Sequence, residues 1–246
     1  MDSKQLLAYT IYASLFVQIL TGAFTLSGVF IDLPKEDIIL HDVIFLETIV
    51  QIIELVFYIL ISIFLINISM SLVTPLRYID WAITTPAMLI STIMFMEYKN
   101  RKKNKKESIT AKEFVIQNKV NMYKIIGFNF LMLFFGILGE IGYINIYLAN
   151  IIGFIFFGLT FYTIYQNYVL DELTNKILFV FMFIIWSLYG IAALLPTLQK
   201  NINYNGLDIT AKNFYGLFIF YYIVKVSRDA KKEKKEVQNV SFSFTK

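Results

Sequence analysis

Two residues near the end of the chain, Asp208 and Lys212, have types and spacing suited to chemistry. The i,i+4 spacing places a carboxylate and an amine on one helical face, and the same stretch continues into the apolar run Leu217-Phe-Ile-Phe-Tyr-Tyr-Ile223. Ionisable residues at membrane depth usually face the protein interior and carry function. A desolvated lysine is the residue type that forms Schiff bases with carbonyl ligands. A plain buried ion pair, or a lysine that snorkels to the membrane surface, is the alternative.

A second polar set interrupts an apolar stretch earlier in the chain. Glu47 and Glu54 are two helical turns apart, and Gln51 lies between them on the same face. Polar stripes of this kind mark water-filled cavities, ion pathways or proton relays in membrane proteins. The alternative is that both glutamates are protonated and bond to neighbouring helices.

A third set lies on the next apolar stretch. Asp80 and Thr84 are spaced i,i+4, and Ser91 follows Asp80 by eleven residues, which is close to three helical turns. The three side chains therefore share one face, with Ser91 roughly 16 Å from Asp80 at about 1.5 Å per residue. A serine hydroxyl relays a hydrogen bond but cannot act as a proton reservoir near neutral pH.

The composition defines the class of protein that carries these residues. The chain has 246 residues, of which 57% are hydrophobic and 16% charged, and its mean hydropathy is +0.63. These values are typical of a polytopic membrane protein. There is no cysteine and a single histidine, His41, so we expect neither a metal site nor a catalytic triad, and no enzyme. The net charge is +4, and the basic residues are concentrated in two places along the chain. Their position indicates the membrane topology and not nucleic-acid binding.

Seven stretches are apolar and long enough to cross a bilayer. They predict an all-α, seven-helix membrane domain over residues 1–226, followed by a basic, disordered tail over residues 227–246. A solvated cationic block (Lys99–Glu107) and a polar loop (Gln199–Asn205) separate some of the spans. The predicted spans are about 5–30, 43–68, 75–98, 123–144, 146–168, 177–196 and 207–226.

Lysine positions predict the orientation of the bundle. An odd number of spans places the two termini on opposite sides of the membrane. The loop after the third span and the C-terminal tail fall on one side and carry the lysine excess, so the positive-inside rule places both in the cytoplasm. The N-terminus is then extracellular, and the chain is an integral, multi-pass protein of the lipid bilayer.

Two stretches carry a family resemblance. The first, Arg77-Tyr-Ile-Asp-Trp-Ala-Ile-Thr-Thr-Pro-Ala-Met-Leu-Ile-Ser91, resembles the third helix of microbial rhodopsins, and Leu207–Gly216 resembles their seventh. The resemblance implies that Lys212 binds all-trans-retinal as a Schiff base. It also implies that Asp80 and Asp208 are the counter-ion carboxylates, with Arg77 screening them on the extracellular side.

The same resemblance implies a retinal pocket and a proton path. Gly190 stands where pumps commonly have proline, which predicts a looser pocket near the ring end. Ser91 stands where pumps carry the carboxylic acid that resupplies the proton, and Glu140 is the candidate substitute for their proton-release pair. The implied cofactor-binding residues are Lys212, Trp81, Thr84, Thr85, Met88, Trp186, Tyr189 and Asp208.

The Asp80-Thr84-Ser91 triad, together with the glutamates of the second span, is similar to the viral rhodopsins of large algal viruses, in the group described as light-gated, calcium-sensitive cation channels. This implies a channel for monovalent cations or protons that retinal isomerisation opens. A slow outward proton pump is the alternative, and a sensory rhodopsin is third. The resemblance is compatible with a monomer or a homo-oligomer. If the protein is viral, the resemblance implies that it lies in the membrane of the host cell. The implied ion pathway consists of Glu47, Gln51, Glu54, Tyr58 and Asn213.

Overall fold

A computed structural model describes residues 3–64 and 70–244, and every regular element in these ranges is helical. Helices α7 and α8 follow one another through a π-helical turn, Ile209–Asn213, and we call these three segments together the seventh helix. A second π-helical turn, Tyr165–Val169, follows α5, and a short 3-10 turn, Lys35–Asp37, precedes α2. The helices are α1 Ser3–Val29, α2 Ile39–Phe64, α3 Met70–Lys103, α4 Ala111–Glu140, α5 Ile146–Ile164, α6 Leu173–Ala192, α7 Thr197–Asp208 and α8 Phe214–Phe244.

The helices form a closed bundle. Each helix packs against the next one along the chain, and α1 packs against both α2 and the seventh helix, which closes the ring. Phenylalanine, isoleucine and leucine side chains cover much of the outer surface, whereas many polar and charged side chains are buried inside. This distribution suits a protein that lies in lipid and has a polar interior.

Short polar segments define where individual helices begin and turn. The Thr110 hydroxyl accepts a hydrogen bond from the backbone N–H of Glu113, whose carboxylate accepts one from the N–H of Thr110, and this capping box starts α4. Gly142 has a φ of +76°, a left-handed conformation that glycine adopts at little cost, in the tight turn between α4 and α5. Asn145 then caps the start of α5.

The predicted seven-helix fold is confirmed, although several boundaries differ. Six of the described helices, α1 to α6, are long and apolar enough to cross a membrane. Helix α3 begins at Met70, so Pro75 lies inside the helix and not at its start. Helix α4 begins at Ala111, about three turns before the predicted start at residue 123, because the capping box extends it through a polar segment. The predicted end of the second span, 65–68, lies outside the described residues.

The seventh helix begins earlier than predicted. The segment Gln199–Asn205 belongs to α7, so the prediction of a polar loop there was wrong. Its asparagines are typical of a loop by composition. However, Asn201 and Asn205 are buried and bonded inside the bundle, and this tertiary bonding accounts for the helix.

The lysine-rich end of the bundle is more ordered than the sequence suggests. Helix α3 continues to Lys103, and within the predicted solvated block Lys102 pairs with the buried Asp37 at 2.7 Å. Helix α8 continues to Phe244 without a break at residue 226, and the disorder of the tail stays a prediction. Lysine and glutamate are good helix formers, and extending an existing helix needs no new nucleus.

Candidate functional site

The amine of Lys212 lies inside a cluster of three buried carboxyl groups. Its Nζ is 2.7 Å from Oδ2 of Asp80. It is 3.5 Å from Oδ1 of Asp208 and 3.5 Å from Oε1 of Glu54. Helices α2, α3 and α7 each contribute one carboxyl group, so the cluster joins three parts of the bundle. All four side chains are at most 4% exposed.

Asp208 is held by more donors than the other two carboxyl groups. Its Oδ2 accepts hydrogen bonds from the Tyr58 hydroxyl at 2.7 Å and from Nη1 of Arg77 at 3.1 Å. Its Oδ1 accepts one from the Tyr189 hydroxyl at 2.8 Å. Asp80 accepts a hydrogen bond from Lys212, and its Oδ1 has no donor among the described residues. The two predicted counter-ions therefore lie together at the amine but differ in their surroundings.

The charges of this cluster do not balance when every group is ionised. Lys212 and Arg77 bring two positive charges to the cluster, and the three carboxyl groups would bring three negative ones. An uncompensated buried charge is costly, so one carboxyl group holds a proton when both cations are charged.

The π-helical turn places Lys212 and Asn213 on the inner side of the seventh helix, where both are buried. The Gln51 amide donates to the Lys212 carbonyl at 3.1 Å, and its oxygen accepts from the Asn213 amide at 2.6 Å. A Cβ at Gly216 would lie 3.1 Å from Nε2 of Gln51, so glycine allows this close approach. Asn213 and Gln51 were both predicted to line the ion pathway, and in the structure their side chains are hydrogen-bonded to each other.

Glu54 and Asn213 have different bonding partners. The Asn213 amide also donates to Thr21 at 2.7 Å, so its donors are used by Thr21 and Gln51. The contact of Glu54 is the Lys212 amine. Glu54, which was predicted to lie on an ion pathway, therefore belongs to the carboxylate cluster itself.

Glu47 lies two helical turns from Glu54 on α2, toward the lysine-rich end of the bundle. The Ser91 hydroxyl donates to Oε1 of Glu47 and, at 2.9 Å, is also close to the Met88 carbonyl. Both side chains are completely buried. Ser91 stands at the α3 position that lacks a carboxylic acid, and Glu47 of α2 thus supplies one beside it. The sequence analysis did not predict this pairing.

A cavity ends at Lys212 and is lined mainly by apolar and aromatic side chains. Trp81 packs edge-on against Tyr189 and Tyr204, at centroid distances of 5.5 and 5.0 Å. Such walls suit a long, flat, apolar ligand that is attached at the lysine end. The predicted cofactor-binding residues that line the cavity are Lys212, Trp81, Thr85, Met88, Trp186 and Tyr189.

Two predicted cofactor-binding residues, Thr84 and Asp208, do not line this cavity. The Thr84 hydroxyl donates to the backbone carbonyl of Asp80 at 2.9 Å, one turn earlier. This local bond is common for threonine in a helix, and it leaves the Asp80 carboxylate to Lys212. Asp208 instead contacts Lys212 and the hydroxyl groups of Tyr58 and Tyr189.

The far end of the cavity is filled more closely than the sequence suggests. A Cβ at Gly190 would lie 2.6 Å from Cζ of Phe154, so the ring from α5 occupies the space that glycine leaves. The Asn150 amide donates to the Gly190 carbonyl beside it at 2.6 Å. Another link, from Asn129 on α4 to Thr85 at 2.8 Å, was also not predicted.

The end of the bundle near the N-terminus carries a further buried ion pair. Nζ of Lys200 lies 2.8 Å from Oε2 of Glu140, and both side chains are at most 10% exposed. Glu140 was predicted as a substitute proton-release group. In the structure it is bonded to a lysine of the seventh helix.

These features define a class of protein: a seven-helix bundle with a buried lysine at the end of an aromatic cavity and carboxylates around its amine. The model of the bacteriorhodopsin-like protein family matches residues 6–226. The chain belongs to this family, whose members bind retinal through a Schiff-base lysine. It is therefore a microbial rhodopsin and an integral, multi-pass membrane protein, as the sequence resemblance predicted.

Solved structures agree with this assignment. The chain is 28% identical to viral rhodopsin OLPVRII, with a TM-score of 0.78 over 90% of this chain and 99% of that one. Blue light-absorbing proteorhodopsin from Med12 is 17% identical, with a TM-score of 0.69 over 89% and 98% of the two chains. Xanthorhodopsin, described as a light-driven ion pump with dual chromophore, is 14% identical, with a TM-score of 0.70 over 95% and 96%. The last two likenesses concern the fold alone. No match was found among curated proteins.

Proposed function

We propose that Lys212 carries the retinal and that the protein is a light-gated cation channel whose path runs along α2. Bound retinal supplies light absorption and a change of shape in the cavity. The chain supplies the rest. Asp80 and Asp208 balance the charge of the lysine nitrogen, Arg77 and Tyr58 fix Asp208, and the aromatic walls exclude water from the cavity.

The observation that carries the channel proposal is a series of buried polar side chains between α2, α3 and the seventh helix, which we call the polar seam. It passes from Tyr58 and Asn205, through Glu54 and Lys212, to Gln51 and Asn213. About one helical turn from Gln51 on α2, Glu47 accepts a hydrogen bond from Ser91. Buried ionisable groups are rare inside membrane bundles, and where they occur they mark ion pathways.

The seam is closed where Glu54 meets Lys212. The 3.5 Å contact and the Gln51 bond to the Lys212 carbonyl place α2 directly against the seventh helix. A positive nitrogen at this level repels permeant cations, because charges interact strongly where water is excluded. Separation of Glu54 from Lys212 would remove the barrier and free a carboxylate to bind a cation.

The test is the voltage dependence of the photocurrent of the full chain in cells supplied with retinal. A channel carries ions down their electrochemical gradient, so its current reverses sign at the equilibrium potential of the permeant cation. A pump drives current in one direction at moderate voltages of either sign. A photocurrent that stays outward throughout would exclude the channel.

The Glu47–Ser91 pair specifically favours a second candidate, an outward proton pump. It places a carboxyl group where Ser91 alone cannot supply a proton. In that case Glu47→Gln would slow the return of the proton to the lysine nitrogen, which flash photolysis follows as decay of the blue-shifted species. If that decay is unchanged, Glu47 does not resupply the proton.

A further inference from the structure

Helix α1 carries a polar stripe on its buried face. Ser14, Gln18, Thr21 and Thr25 are at most 3% exposed, and their spacings of four, three and four residues keep them on one side of the helix. This side faces α2 and the seventh helix. Helix α1 therefore adds a fourth wall to the polar seam, and the polar side chains of this wall are not part of the site described above.

The neighbours of Gln18 on this stripe have identified partners. The Ser14 hydroxyl donates to the Asn205 carbonyl at 3.2 Å, and the Thr21 hydroxyl lies 3.1 Å from Oε1 of Gln51. Gln18 is completely buried, yet neither its amide nitrogen nor its amide oxygen has a hydrogen-bond partner among the described residues. Buried amides without a partner are rare, because such a group loses its hydration without compensation.

The contacts on either side fix the level of Gln18 in the bundle. Tyr58 on α2 bonds to Asn205, as Ser14 does, and Gln51 on α2 bonds to Thr21. Glu54 lies between Gln51 and Tyr58 on α2, just as Gln18 lies between Thr21 and Ser14 on α1. Gln18 and Glu54 are therefore at the same level on two helices that pack together.

Glu54 shares the unusual state of Gln18. Neither of its carboxyl oxygens has a hydrogen-bond donor at bonding distance among the described residues, and the Lys212 amine is 3.5 Å away. An amide oxygen and a carboxylate are both oxygen ligands, which hard cations prefer.

We propose that Gln18 and Glu54 form a monovalent-cation site in the path once Glu54 has separated from Lys212, with the Gln18 amide oxygen as the neutral ligand. This inference rests on the proposed channel function and adds the residue that sets its selectivity. A neutral oxygen replaces part of the hydration shell of the ion and binds it less tightly than a second carboxylate would. The ion can therefore leave the site as well as enter it.

The experiment uses the full, retinal-loaded chain with Gln18→Leu, which keeps a similar volume and removes the amide. Thr160→Val is the matched control, because it removes a buried hydroxyl from α5, which is not part of the seam. Reversal potentials are recorded with sodium outside the cell and then with N-methylglucamine. Loss of one hydrogen-bond-strength contact should change the sodium-to-proton permeability ratio by about two- to tenfold in Gln18→Leu. The ratio in Thr160→Val should stay unchanged.

A second readout does not depend on conduction. Infrared difference spectra under illumination, recorded in sodium and in N-methylglucamine, should show an amide carbonyl band that responds to sodium and is absent in Gln18→Leu. If the current reverses but neither the ratio nor the band depends on Gln18, the cation site is refuted while the channel stands. If the band responds to sodium but the current never reverses, the site stands and the channel fails. If neither is observed, both are refuted.

Discussion

Lys212 makes its shortest ion pair with Asp80 on α3, at 2.7 Å, and not with its own helical neighbour Asp208, which is 3.5 Å away. The sequence spacing of Asp208 and Lys212 suggests the opposite order. Asp208 is turned toward Arg77 and two tyrosines, which occupy its oxygens. The amine is thereby left to Asp80, and this pair is the centre of the site.

The first prediction concerns the attachment of the chromophore. Lys212→Ala should give a colourless protein when it is produced with all-trans-retinal, because the cavity then lacks the amine that forms the covalent bond. Absorption spectroscopy of the purified protein checks this. Lys200→Ala, a change of another buried lysine that pairs with Glu140, should retain its colour. Visible absorption in Lys212→Ala would refute the assignment.

The second prediction concerns the counter-ion. Asp80→Asn should shift the absorption of the protonated pigment to longer wavelength. An anion beside the nitrogen stabilises the ground state, in which the positive charge is localised there, and its removal lowers the excitation energy. Asp37→Asn also neutralises a buried aspartate, but one bonded to Tyr98 and Lys102 at the lysine-rich end. It should leave the spectrum unchanged, and equal spectra for both variants would contradict the role of Asp80.

The third prediction concerns the stability of the lysine-rich end. The two hydrogens of the buried Asn175 amide are shared among three acceptors, the Met96 and Tyr168 carbonyls and the Asn100 side-chain oxygen, which lie 3.0 to 3.1 Å from the amide nitrogen. Asn175→Ala leaves these buried acceptors with fewer donors and should cost about 1–3 kcal/mol. The loss would appear as faster thermal bleaching of the pigment. Asn203→Ala, at an exposed position on α7, should bleach at the unmodified rate.

Sequence reasoning predicted the parts of the site that short spacings and motifs define. Asp80, Asp208 and Lys212 were expected together, and the structure places them together because α3 and the seventh helix face one another. The number of helices followed from apolar segment lengths in the same way. The functional roles of these residues stay predictions that the variants above test.

Other parts of the site depend on contacts between helices, which spacing within one helix does not show. The bond of Ser91 to Glu47 joins two residues 44 positions apart. The π-helical turn at Lys212 has no recognisable sequence signal, and the helical state of Gln199–Asn205 depends on buried partners of Asn201 and Asn205. The stripe from Ser14 to Thr25 did have a signal, because polar residues recur at helical spacing in an apolar segment.

The fourth prediction follows from the position of Glu54 beside Lys212 on the proposed path. Glu54→Gln removes a carboxyl oxygen ligand from the proposed path while Asp80 and Asp208 still balance the charge of the lysine nitrogen. The pigment should therefore keep its colour, and the sodium-to-proton permeability ratio or the conductance should fall. Thr160→Val again serves as the control on α5.

The reversal potential of the photocurrent in Glu54→Gln, compared with the unmodified protein at several sodium concentrations, tests the central claim most directly. The account predicts that the unmodified protein reverses at a voltage that follows the cation gradient, and that Glu54→Gln moves this voltage or reduces the current without bleaching the pigment. A photocurrent that never reverses and is the same in Glu54→Gln would contradict it, and Asp80 with Asp208 would then be assigned to proton export.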